Sequence, residues 1–449
     1  MPSHGREAGE ESPVSSQTRR RFLGATAGLG VGAVSGYTGF RANQTAQSVA
    51  VAAVGGGEGE LFRRLINQYV QDDTGVNVDV SLFPYANLFE RTNSVLSTEG
   101  TAFDILFMDD PWFPLFAQYV DPIRQWLPSD IPEDQFIDTT IEIATWPNPR
   151  GPVPPAAQGQ QEQLKGLVVV GNTQLFAYNQ EYYDQVNESE PNTWQDVLRA
   201  GRKIDEQVEG ANGYNIRGRR GNPIMANFFS LGMSRIGNMF DENWRYVWDD
   251  QNGAETVSFY VNDLKSISPD GVASFDSDQV LNSLGNGSAA QAPAWPAAAS
   301  ILLNPEQAEE ADNIQFTVIP RGQRRAPQQG NWIAGINSFV SDAKKRAAGQ
   351  VLRSFVSQEA QERYVELGGV PFRRDTFQNN MNAQPWFPPL FESLQTAQWR
   401  PRTPLWSELE ATQGRFLNTA LTGQIPPQRA MNQMNSEVET ILEQAGYYG

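Results

Sequence analysis

The stretch Ser48-Val49-Ala50-Val51-Ala52-Ala53-Val54-Gly55-Gly56-Gly57, together with the 25 or so residues after it, decides the fold class. A short apolar run (Val49, Val51, Val54) breaks at three glycines. Leu61, Leu65, Ile66, Tyr69 and Val70 then recur at helical spacing, and Val76, Val78, Val80 and Leu82 alternate with polar residues as a strand does. Strand, turn, helix, strand is a βαβ opening, and such units imply a parallel sheet within an α/β fold. A further apolar run, Ile105 to Met108, comes after Asp104 and ends in Asp109-Asp110-Pro111-Trp112. In open α/β sheets ligands bind beyond the carboxyl ends of the strands, so Asp109 through Trp112 stand where a binding residue is expected.

Composition narrows what such a fold does. The chain has 449 residues, 34 Lys plus Arg against 52 Asp plus Glu, one histidine and no cysteine. The length suggests two to three domains, each able to bury its own core. Without cysteine there is no disulfide, thiolate metal site or cysteine nucleophile, and the single histidine, His4, lies in a polar leader. A Ser-His-Asp triad is therefore out unless His4 supplies it. A net charge of −18 argues against a nucleic-acid partner and against an anionic membrane surface. Lysine occurs only at positions 165, 203, 265, 344 and 345, so 29 of the 34 cations are arginine. An acidic, lysine-poor surface suits a salty medium, and high-GC codon usage would produce the same bias.

Residues 1–46 read as an export leader. A polar start leads to Thr18-Arg19-Arg20-Arg21-Phe22-Leu23 and then to a weakly apolar run, Gly24 to Phe40, that contains six glycines. The pattern resembles a twin-arginine signal carried by Arg19 and Arg20, and the run is short for a membrane span. No cysteine comes after it, so a lipid anchor at a mature N-terminal Cys is ruled out. The exported part is expected to begin between residues 42 and 50, periplasmic or extracellular, either released or held by an uncleaved leader.

Further along, residues 146–163 read as a flexible connector, Leu167 to Val170 as another strand, and Asn192-Thr193 as the cap of a helix beginning at Trp194. Strand signals return at Ile314 to Ile319 and from Trp332. Asp342 to Leu367 reads as one or two helices, and a last amphipathic helix runs from about Gln428 to Ala445.

Three features could carry chemistry. An aspartate beside Trp112 could bond sugar hydroxyls while the indole stacks on a pyranose face. Neighbouring side chains on an extended chain point apart, so one of Asp109 and Asp110 is expected to reach a ligand and the other to cap the next helix. Tryptophans beside turn residues, Ala294-Trp295-Pro296, Asn331-Trp332 and Pro385-Trp386-Phe387, offer stacking faces or core packing. Gly368-Gly369-Val370-Pro371-Phe372-Arg373-Arg374 delivers fixed cations that could bind a hydroxyl pair or carboxylate, or simply pair with a neighbouring aspartate. Carboxylate pairs for glycoside hydrolysis arise by chance among 52 acids, and there is no phosphate loop.

Seven motifs in order carry a resemblance: Gly55-Gly56-Gly57, Phe103-Asp104-Ile105 to Trp112, Gly171-Asn172-Thr173-Gln174 to Tyr178-Asn179, Pro191-Asn192-Thr193-Trp194, Gly287-Ser288-Ala289-Ala290 before Trp295-Pro296, Gly330-Asn331-Trp332, and Gly368 to Arg373. The exported part resembles extracellular solute-binding proteins of family 1, the sugar-binding components of ABC importers. The resemblance implies a two-lobed periplasmic-binding-protein fold of class II type with the ligand in an interlobe cleft. Lobe 1 would comprise residues 47–160 with 315–375, and lobe 2 residues 161–314 with 376–449. Asp109, Asp110, Trp112, Asn172, Trp295, Trp332 and Arg373 would line the cleft, the three tryptophans as stacking platforms. The ligand would be a mono- or oligosaccharide, or in the alternative a polyol; a secreted glycoside-active enzyme is the other reading. The partners would be the transmembrane permease and the twin-arginine translocase, with the protein itself a monomer that is not an enzyme, without metal, cofactor or nucleic acid.

Overall fold

The computed structural model describes residues 48–448 except Asp249; Arg19, Arg20 and the rest of the expected leader lie outside the described residues. The strands among them are β1 (Ser48–Val54), β2 (Asn77–Phe83), β3 (Ile105–Asp109), β4 (Thr145–Trp146), β5 (Gln163–Leu164), β6 (Leu167–Val170), β7 (Leu175–Asn179), β8 (Gln291–Ala294), β9 (Ile314–Val318) and β10 (Trp332–Ile336). The βαβ opening forms as its periodicity requires. β1 pairs parallel with β2 in an unbroken register from Ser48↔Asn77 to Val54↔Phe83, and parallel with β3 on its other side. Between them a helix from Gly57 buries Phe62, Leu65, Ile66 and Val70 and ends at Gly75, whose φ is 66°.

The first sheet has the order β2-β1-β3-β10-β6. β10 arrives from far along the chain and runs antiparallel to both β3 and β6. The helices Asp342–Phe355 and Gln358–Glu366 place Val351, Phe355 and Tyr364 in the same core as the sheet. The second lobe is built on the antiparallel sheet β8-β7-β9. Its core gathers the helix Trp194–Gln207, capped reciprocally by Thr193 and Asp196, the helix Asn222–Arg235, and the last two helices, Trp406–Leu421 and Pro427–Gln444.

The expected lobe boundaries shift. β6, assigned to lobe 2 within 161–314, pairs with β10 in the first sheet, whereas β9, assigned mostly to lobe 1, pairs with β7 in the second. Residues 376–396 also change lobes, since Phe377, Phe387, Leu390 and Leu394 pack in the first core. The chain therefore crosses between lobes at 171–174, 319–331 and 397–405. The connector 146–163 is no crossing. It belongs to lobe 1, where β4 pairs with β5 and Trp146, Ala157 and Leu164 are buried. A strand's apolar run shows that it is buried but not which partner it takes; for β6 that partner lies more than 160 residues away.

Candidate functional site

The site grows from the end of β3. Asp109 is the last residue paired to β10, opposite Trp332, and the chain then turns, with Trp112 N–H donating to the Asp109 carbonyl at 2.9 Å. Because Asp110 has left the extended strand, the two aspartates do not diverge as expected. Both reach one guanidinium: Arg400 Nη2 donates to Asp109 Oδ1 at 3.0 Å and to Asp110 Oδ1 at 2.5 Å, while Tyr85 donates its hydroxyl to Asp109 Oδ2 at 2.7 Å. Arg400 belongs to the third crossing segment, and the same Nη2 lies 3.4 Å from the Gln329 carbonyl of the second. From lobe 2, Asn222 donates to Glu410 Oε1 at 3.1 Å, and Glu410 lies close enough to Asp109 and Arg400 to be felt electrostatically.

A second group adjoins through Asp109. Glu58, in the first turn of the helix after β1, accepts from Asn172 Nδ2 at 3.1 Å and from Trp332 Nε1 at 2.6 Å. Asn172 is displayed by close backbone contact between two of the sequence motifs. A Cβ on Gly171 would sit 2.0 Å from the Pro371 carbonyl oxygen, so the chain passes there only with glycine. The same applies at Gly330, where a Cβ would lie 2.6 Å from the Trp295 ring. Trp295 thus carries lobe 2 against the second crossing segment and remains half-buried. Beside Glu58, an interlobe pocket of about 240 Å³ is walled by Tyr364 and Trp386 from the first lobe and by Pro296, Ser300 and Asn304 from the second.

Burial makes three of the acids, Asp110, Glu58 and Glu410, reluctant to ionise. The Asp110 carboxyl is pushed up to about 7 by loss of solvent, against the pull of Arg400 and with Asp109 adding to the rise. Glu58 is likewise pushed up to about 7, by loss of solvent first, with the Trp332 hydrogen bond opposing and Asp109 adding. Burial raises Glu410 too. Burial alone would lower the Arg400 guanidinium, but Asp109 and Asp110 hold it above its ordinary value.

The folded chain keeps the Glu58 proton where the unfolded chain, with a value near 4.5, has lost it. This stabilisation is complete below about pH 4.5 and is lost as pH rises to about 7. The melting temperature of the parent chain relative to that of Glu58→Gln is expected to fall across this window; a constant difference would contradict the burial of this carboxyl.

Of the expected site residues, Asp109, Asp110, Trp112, Asn172, Trp295 and Trp332 come together around this cleft. Trp112 and Trp332 are each only 4% exposed and belong to the first core, their rings 5.7 Å apart edge-on with Tyr85 packed against both. Neither offers an open stacking face. Arg373 is not brought in: its guanidinium is committed to Asp375 and to the Val356 carbonyl and lies over Phe136. The local pairing two residues away satisfies it in the interior. Glu58, Tyr85, Asn222, Arg400 and Glu410 were not singled out by sequence. Arg400 had a signal, since Trp399-Arg400-Pro401-Arg402 sets two arginines beside a proline, well apart from any predicted helix.

Two lobes, three crossing segments and a polar cleft between them define a solute-binding protein of the two-lobed, class II kind. The chain belongs to the family described as bacterial extracellular solute-binding protein, whose profile matches residues 53–362. It is 24% identical over 392 residues to a probable amino-acid ABC transporter periplasmic-binding protein, y4oP, of Sinorhizobium fredii, covering 83% of this chain and 84% of the relative. It is 21% identical over 429 residues to the mannitol-binding protein of Pseudomonas aeruginosa, covering 90% and 95%. The maltose-bound MalE3 of T. maritima superposes with a TM-score of 0.77 at 21% identity, over 88% of this chain and 100% of that one.

Proposed function

We propose that this protein captures a carbohydrate or a polyol in the interlobe cleft and delivers it to the permease of an ABC importer, without catalysing a reaction on it. The observation that carries the reading is a set of buried polar atoms at the lobe junction that find no partner among the described residues: Asp110 Oδ2, Asn172 Oδ1, Gln329 Oε1, both amide atoms of Asn331 and Arg400 Nε. The set holds both donors and acceptors, and each costs about 1 to 3 kcal/mol while unpaired. A polyhydroxylated solute supplies both kinds of partner from each hydroxyl. The half-buried Trp295 ring offers it an apolar face.

The test is a thermal-shift panel of sugars, polyols and amino acids, in which a sugar or polyol at 100 times Kd is expected to add about 2.7 kcal/mol of stability. A shift confined to amino acids would replace the solute class, and release of reducing ends from glycosides would make the protein an enzyme. Trp295→Ala is expected to weaken solute binding by about 1 to 3 kcal/mol with little change in melting temperature, as removal of a platform does. An unchanged Kd would remove Trp295 from the site.

Export belongs to the same proposal. Arg19 and Arg20 direct a folded monomer through the twin-arginine translocase, and replacing both by lysine is expected to retain the protein in the cytoplasm, checked by cell fractionation. Normal export of the double variant would point to another route.

A further inference from the structure

A second pocket, of about 310 Å³, lies at the other end of the helix Asn222–Arg235. Asn222 meets Glu410 in the cleft, whereas Met233, eleven residues on, lines this pocket, about 16 Å away at 1.5 Å per residue. Of the cleft groups, only Arg400 is shared. The walls come from three places: the connector of lobe 1 at Asn148–Pro152, the segment from Met233 to Trp244 of lobe 2, and the crossing segments at Arg324 and Ala397–Arg402.

The charge of this pocket runs against that of the chain. Four arginines line it, Arg150, Arg324, Arg400 and Arg402, and among the described residues no acidic one does, in a protein of net charge −18. Two of the four make their hydrogen bonds to neutral oxygens. Arg324 donates Nε to the Met233 carbonyl and Nη2 to Asn238 Oδ1; Arg402 donates Nη1 and Nη2 to the carbonyls of Asp110 and Ile143. The remaining walls are aromatic and apolar apart from the neutral amides of Asn148, Asn238 and Gln398. Trp399 has the Arg150 and Arg402 guanidiniums 5.1 and 5.9 Å from its ring centroid, and Phe240, Met233 and Met239 add apolar surface to the lining.

Trp244 adds an independent observation. Its φ is +62°, a left-handed conformation that a bulky side chain rarely adopts and that costs about 1 to 3 kcal/mol. A tight turn imposes it: Asp241 accepts from the Trp244 N–H through its carbonyl and from the Asn243 and Arg245 N–H groups through Oδ1. The strained turn carries the indole to the pocket wall, where Nε1 donates to the Val153 carbonyl of the other lobe at 3.3 Å.

We propose that this pocket is a second ligand site, separate from the solute cleft, for a small organic anion with a flat apolar body, an aromatic carboxylate being the simplest member. Guanidiniums bind carboxylates with directed hydrogen bonds and stack on flat rings, and the volume falls at the small end of ligand pockets.

The experiment titrates the full chain with phenylacetate, with its neutral isostere phenylacetamide and with acetate, following binding by calorimetry. Saturable binding of phenylacetate is expected, at least about tenfold tighter than that of either control. Arg324→Gln is expected to weaken it about tenfold, and Trp295→Ala to leave it within about twofold. Three results would each overturn the proposal: no saturable binding of phenylacetate up to about 10 mM, equal binding of phenylacetamide, or loss of binding in Trp295→Ala but not in Arg324→Gln. The comparison of the three compounds on the parent chain decides the matter even if a variant folds poorly.

Discussion

Replacing Arg400 by alanine is expected to destabilise the protein by about 3 to 5 kcal/mol, because it leaves two buried carboxyl groups facing each other with only the weaker pull of Arg402 on Asp110. Asp109 and Asp110 are 5% and 1% exposed, and each bonds the same Nη2. The loss should depend on pH. Asp110, already pushed up to about 7 in the native protein, can shed its charge by taking a proton, so the penalty at pH 5 should be smaller than at pH 8. Urea unfolding at both pH values measures this. A midpoint unchanged at pH 8 would show that the guanidinium does not hold the pair together. Arg400→Lys tests geometry separately from charge, since one ammonium keeps the charge but not the planar fork.

Trp332→Ala is expected to cost a comparable amount, about 3 to 5 kcal/mol, and to do so in the absence of any solute. The indole packs against Tyr85, Phe107 and Trp112 at the start of β10, so its removal opens a cavity in the first core. It also takes from Glu58 the hydrogen bond of the indole N–H, leaving that of Asn172. Trp332→Phe keeps most of the volume and loses the N–H, which should cost about 1.5 to 3 kcal/mol, the range for a bond to a charged group, at pH above 7 where Glu58 is ionised. A Trp332→Ala variant as stable as the parent would place the ring in an open cleft. The contrast with Trp295 matters: there, binding rather than stability is expected to suffer.

Local patterns in the sequence were enough for several of the elements and for the strand end from which the candidate site grows, but not for β7, β8 or the helix Trp406–Leu421. Period-two and period-3.6 spacing reflect which face of a segment is buried, so the βαβ opening, the capped helix at Trp194 and the last helix were legible within a few residues. The strand end at Asp109 and Asp110 was legible as a candidate site as well, because α/β topology favours binding residues beyond strand ends; that both aspartates turn to one guanidinium was not. Tertiary structure decided the pairings. Whether Asp109 meets a sugar or a guanidinium depends on Arg400, 291 residues away, and nothing in either neighbourhood announces the partner. Whether a Gly-flanked tryptophan is a platform or core depends on what packs over it; Trp332 and Trp295 look alike in sequence, but Tyr85 and Trp112 cover the first while the second stays half-buried. Arg373 had two possible fates, cleft or aspartate, and Asp375 took it. β6 joined the first sheet because β10, inserted late and antiparallel, offered it an edge. Burial periodicity is a property of a segment and its own side chains; partner choice is a property of the register among segments, which is set only when the chain closes on itself.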